Sequence, residues 1–65
     1  LTAETIIDLA DALEDRVADR GYLVLSGILK LKAGQVRRRF APVSFVLLRQ
    51  TREKEWVTLL FKKKS

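Results

Sequence analysis

Two stretches of this chain are apolar on both of their alternating sides, and they limit what it can become. In "YLVLS", residues 22–26, Tyr22 and Val24 point one way and Leu23 and Leu25 the other. In "EWVTLLF", residues 55–61, Val57, Leu59 and Phe61 share one side while Trp56 and Leu60 share the other. Strands of this kind suit a sheet covered on both faces, as in α/β proteins. Yet the chain has 65 residues, and a domain of that size buries only roughly 60% of the surface its unfolded form exposes.

The rest of the chain offers helices and one more strand. Over residues 3–19, Ile6, Leu9, Ala10, Leu13 and Val17 recur at helical spacing with acids on the other side, which predicts an amphipathic helix. Thr2 suits its N-cap and Glu4 the positive end of its dipole, with Arg20 near the last turn and Gly21 as the left-handed cap. The strand 22–26 then ends at Gly27. A second helix is expected from about Leu29 to Phe40, with Leu29, Ala33, Val36 and Phe40 as its apolar stripe. Gly34 inside it costs about 1 kcal/mol relative to alanine. Pro42 stops this helix and pushes Ala41 towards an extended conformation. Residues Val43–Thr51 and Glu55–Lys62 read as a β-hairpin with Arg52, Glu53 and Lys54 at its tip. The order is therefore α-β-α-β-β. A right-handed crossover makes the first two strands parallel and the hairpin adds an antiparallel one, giving a three-stranded mixed sheet.

Composition removes several kinds of chemistry. The chain has neither cysteine nor histidine, which excludes disulfides, thiolate nucleophiles, and zinc or haem sites built from those residues. With 48% hydrophobic residues it is not a disordered tail. Its apolar runs are too short to cross a bilayer and no signal peptide is visible, so a cytoplasmic location is expected. The chain starts at Leu1 and contains no methionine, so a fragment, a processed form or the visible part of something longer is expected. The net charge of +5 is unevenly divided: residues 1–20 hold six acids against two arginines, and residues 21–65 hold eleven bases against two acids. Such asymmetry fits nucleic-acid binding, or two opposed surfaces that stabilise each other or a partner.

Individual candidates each admit two readings. Ser26-Gly27 is either a ligand-binding turn at the carboxyl end of a strand or a cap that lets strand become helix. Arg37, Arg38 and Arg39 either touch a polyanion such as ribosomal RNA or form a solvated helix face. Lys62, Lys63 and Lys64 read as a frayed basic tail. Trp56 either stacks a base or packs within the sheet. Glu4, Asp8, Asp11, Glu14, Asp15 and Asp19 are spread around the solvent side without the pairing that acid–base catalysis needs. No residue is assigned as catalytic, cofactor-binding or metal-ligating.

The segments "LTAETIIDLADAL", "GYLVLSGIL" and "EKEWVTLLFKK" resemble the closing part of class I S-adenosylmethionine-dependent methyltransferases. Within that class they look like the bacterial family that methylates ribosomal protein eleven of the large subunit. The likeness runs from Thr2 to Lys63. It implies the C-terminal half of a Rossmann-like domain, with the last strand inserted between the other two (order 1-3-2) and both helices on one face. It implies S-adenosylmethionine as the parent enzyme's cofactor and amino groups of a ribosomal protein as its substrate, through in-line attack of a neutral amine on the sulfonium methyl. It also implies what these residues lack. Gly21, Gly27 and Gly34 are too far apart for the family's Gly-rich cofactor turn, and the Asn-containing segment facing the amine would end just before Leu1. Thr2 and Thr5 would sit nearest that segment. On this reading the chain by itself is structural and inactive, and its uncovered sheet face calls for the missing N-terminal half or for self-association. The alternative is a small basic RNA-binding module, which needs aromatics exposed beside bases on one sheet face. The alternation of aromatics with aliphatics favours the methyltransferase reading.

Overall fold

The computed structural model describes residues 2–65. Its first helix, α1 (Ala3–Asp8), begins where Thr2 is extended and its hydroxyl oxygen accepts the Thr5 N–H at 3.1 Å, as expected of an N-cap. The expected continuous helix over 3–19 is instead two short ones. Leu9, at φ −93° and ψ 6°, separates α1 from α2 (Ala10–Arg16). The bonds Leu9 N–H to Thr5 O and Leu13 N–H to Leu9 O carry the chain across the break. Periodicity does not reveal it, because Ile6 and Ala10 are buried on the same core from either side of it. The left-handed residue after α2 is Arg20, at φ 60°, rather than Gly21. Gly21 is needed for a different reason. Its N–H bonds the Ala18 carbonyl at 2.8 Å, and a Cβ there would stand 2.9 Å from that oxygen.

Strand β1 runs Tyr22–Leu29 and so passes through Gly27 instead of ending there. Leu25 pairs with Leu59 and Ile28 with Val57, so Ser26 and Gly27 together face Thr58. This two-against-one arrangement is a β-bulge, and Gly27 takes φ 73° within it. A 3₁₀ turn (Lys30–Lys32) and helix α3 (Ala33–Phe40) follow. Leu29 therefore belongs to the strand and is exposed, while Ala33, Val36 and Phe40 form the buried stripe. Ala41 is extended, as the following proline demands, and the Ala41–Pro42 bond is cis. Strands β2 (Phe45–Glu53) and β3 (Trp56–Lys63) make the hairpin, with Lys54 and Glu55 at the tip. A second irregularity leaves Leu48 unpaired between Leu47, opposite Phe61, and Arg49, opposite Leu60.

The sheet order is β1-β3-β2, with the two-sided strand β3 in the middle. Both ladders are antiparallel. The sheet is therefore antiparallel throughout and not the expected mixed one, because the hairpin strand enters between the two strands that the crossover joins. β1 and β2 run the same way, but β3 lies between them and no parallel ladder forms.

Strand pairing sorts the side chains onto two faces. Leu25, Ile28, Phe45, Val57, Leu59 and Phe61 are buried in one core with Ala3, Ile6, Ala10, Val36 and Phe40 from the helices. At its centre the rings of Phe40, Phe45 and Phe61 lie 5.5–5.9 Å apart, two of the three pairs edge-to-face, a favoured aromatic arrangement. The helices cover this face alone. On the other face Tyr22, Val24, Leu29, Val46 and Trp56 are exposed.

Candidate functional site

The end of β1 nearest the helix N-termini holds a cleft of about 200 Å³, lined by Thr2, Ala3, Glu4, Gly27, Leu29, Lys32 and Trp56. Each side arrives there for a local reason. The Thr2 cap starts α1 and so places Glu4 in the first turn. The bulge carries β1 onward to Leu29, which pairs with Trp56. The 3₁₀ turn then brings Lys32 Nζ to 3.2 Å from Glu4 Oε2. The Glu4 carboxyl is held below its ordinary value, first by a backbone N–H at the helix start and then by the hydrogen bond and charge of Lys32. It is ionised at neutral pH, which suits it to pairing and positioning and not to proton transfer.

The Ser26-Gly27 pair is neither a strand-to-helix turn nor a cap. Gly27 lines the cleft, but a Cβ on it would meet nothing within 4 Å. The glycine is there for its left-handed φ, and no neighbour presses against it. Trp56 is half exposed at the cleft's wall, not packed within the sheet. Thr5 bonds Thr2 through both its N–H and its hydroxyl. Among the described residues no group of three His, Cys, Asp or Glu side chains is placed to hold a metal ion.

The arginine run is partly engaged. Arg37 Nη1 donates to Gln50 Oε1 at 2.9 Å, tying α3 to β2, and Arg39 pairs with Asp11 of α2. Arg38 stays exposed. The lysine run is no frayed tail. Lys63 Nζ donates to the carbonyls of Glu14 (2.8 Å) and Val17 (2.9 Å), so a cation caps the carbonyl end of α2. The Lys63 N–H bonds Gly21 O and the Lys64 N–H bonds Ser44 O, and Lys62 Nζ lies 5.4 Å from the Tyr22 ring centre. Sequence reasoning missed the Lys63 cap. The sequence places Arg20 and Gly21 at this helix end, and only the register of β3 against β1 shows that Lys63 reaches it.

The arrangement matches known proteins along its whole length. The family model for ribosomal protein L11 methyltransferase matches residues 1–64. Ribosomal protein L11 methyltransferase of Geotalea uraniireducens is 43% identical over 65 residues, covering 100% of this chain and 21% of the relative. That of Streptococcus pneumoniae serotype 4 is 38% identical over 63 residues, covering 97% of this chain and 20% of the relative. A crystal structure of ribosomal protein L11 methylase from Lactobacillus delbrueckii subsp. bulgaricus superposes with a TM-score of 0.87 at 26% identity, covering 100% of this chain and 34% of that one. The helices and the 1-3-2 sheet are thus those of a segment of a methyltransferase fold. The chain belongs to the ribosomal protein L11 methyltransferase family. It spans about a fifth of the length of the curated relatives it matches. Among the described residues no helix is long and apolar enough to cross a membrane.

Proposed function

We propose that residues 1–65 are the C-terminal structural segment of a cytoplasmic enzyme that methylates amino groups of ribosomal protein L11 with S-adenosylmethionine. The family match over residues 1–64 carries this reading.

These residues do not themselves fit the cofactor. Gly21 lies in the turn after α2, Gly27 in a strand bulge and Gly34 inside α3, so no Gly-rich cradle forms. The segment contributes a rigid floor instead. Its sheet and helices hold the cleft at the end of β1, and the Glu4–Lys32 pair fixes the cleft's polar rim. Ligands of open α/β sheets bind outside the carboxyl ends of strands, so this cleft borders the reaction site and leaves the chemistry to residues elsewhere in the enzyme.

Two measurements test the reading. Titration of the 65-residue chain with S-adenosylmethionine is expected to give no binding heat, and a 1:1 complex at micromolar affinity would overturn the structural role. A chimera of the Geotalea uraniireducens relative carrying this chain in place of its own matching segment is expected to methylate ribosomal protein L11. A folded chimera without that activity would overturn the family function.

A further inference from the structure

A second concavity opens at the C-terminal end of α3, where the chain turns into β2. It measures about 430 Å³, and Arg37, Arg38, Pro42, Val46, Leu47 and Lys64 are among the residues that line it. No acid lines it. Pro42 and Val46 are exposed there and Leu47 is partly buried, so the cations surround an apolar floor. The two ion pairs among the described residues, Glu4–Lys32 and Asp11–Arg39, leave these cations out.

The arginines are also gathered. A Cβ on Gly34 would stand 3.2 Å from Arg38 Nη1 and 3.9 Å from Arg37 Nη2, so both guanidinium groups lie over the one helix position without a side chain. Arg37 commits a nitrogen to Gln50, and Arg38 has no side-chain hydrogen bond or ion pair among the described residues. Like charges gathered without an acid draw an anion, and guanidinium groups suit carboxylates. Alongside, β2 is an edge strand of the sheet, so its outer backbone groups have no ladder partner.

We propose that this groove docks an extended acidic segment of a partner protein. Arg38 and Lys64 hold its carboxylates, with Arg37 beside them, and an aliphatic side chain sits against Pro42, Val46 and Leu47. The open edge of a strand is a ready docking line for an extended peptide. The proposal concerns a surface of this chain and does not rest on the function proposed above.

Two other occupants fit the groove less well. Single-stranded RNA needs aromatic platforms, and the ring that borders the groove, Phe45, is fully buried. A phosphate backbone would also leave the apolar floor unfilled. The acids of α1 and α2 on a second copy are carried by helices, which cannot pair with a strand edge.

The probe is a blocked, fluorescently labelled peptide with one leucine between two pairs of aspartates. Its anisotropy is followed against the 65-residue chain at about 0.15 M salt. One twin carries lysines in place of the aspartates, another alanine in place of the leucine. The aspartate–leucine peptide is expected to bind 1:1, at least about tenfold tighter than the lysine twin and at least about threefold tighter than the alanine twin. Amide shifts on the isotope-labelled chain are expected to centre on Val46 and Leu47. Arg38→Glu is expected to weaken binding at least about tenfold. Lys64→Glu lies outside every helix and strand and so guards against a misfolded first variant; it is expected to weaken binding at least about threefold. Lys30→Glu makes the same charge change beside the hairpin tip, where its N–H bonds Glu55 O, and is expected to alter the affinity less than about twofold. Absence of binding, equal affinity for either twin, or an equal loss from Lys30→Glu overturns the proposal. So does displacement of the peptide by poly(U) at equal charge, or self-association of the chain that competes with the peptide.

Discussion

The two faces of one sheet are made of the same kinds of residue and have opposite fates. Phe61, Leu59 and Val57 are fully buried, while Trp56 and Val24, on the other side of the same ladder, are about half exposed or more. Hydrophobicity does not separate them. The connection β1-α3-β2 crosses on one side only, and α1 and α2 pack against that same side. The difference teaches that apolar strand content records how much cover a sheet needs, whereas chain connectivity decides which face receives it.

The sharpest way to break this comparison is to truncate one residue on each face. Phe61→Ala removes a ring in contact with both Phe40 and Phe45 and is expected to cost about 3–5 kcal/mol. That is most of the roughly 3–10 kcal/mol available to a domain of this size. Val24→Ala on the open face is expected to change stability by less than about 0.5 kcal/mol. Urea unfolding followed by circular dichroism checks both, and equal losses would mean that the open face is part of the core.

A smaller effect is expected where the covered face is fastened at its end. Lys63→Met keeps the aliphatic stem but leaves the Glu14 and Val17 carbonyls without their cation. Removal of such charge-assisted bonds is expected to cost about 1–2 kcal/mol. Amide exchange should quicken in α2 before it does in β3, and uniform quickening would place the bonds' role elsewhere.

The smallest effect belongs to the cleft rim. Glu4 is depressed in the folded state, so its contribution is fully present above its ordinary value and is lost as pH falls through the lowered folded value. Glu4→Gln is therefore expected to be slightly less stable than the parent at neutral pH and equal to it in strong acid. Added salt should shrink the gap, since the pair is solvent-exposed. A gap that widens in acid contradicts the assigned pairing.

Much of the candidate site was legible in outline. Thr2 as a cap, Glu4 in the first turn and Pro42 as a stop follow from chemistry within a few residues, and the structure keeps all three. The Ser26-Gly27 pair was misread because a glycine with positive φ serves equally well in a turn or in a bulge. Only the partner strand, which offers Thr58 alone against both residues, distinguishes the two. Lys62, Lys63 and Lys64 looked equivalent for the same reason. One lies over Tyr22, the next caps α2, and the backbone of the third pairs with Ser44.

By itself, the sequence determined an acidic helical stretch before the first strand, a basic helix after it, a closing hairpin and two strands apolar on both sides. Its wording pointed to the family that the comparisons then established. These are short-range properties, readable from spacing within one element. Tertiary structure alone decided the bulge at Ser26-Gly27, the break at Leu9, the Lys63 cap and the identity of the uncovered face. The bulge, the cap and the uncovered face depend on register between segments far apart in the chain, as where Tyr22 meets Lys62. Register is set by the summed packing of a whole face against its partners.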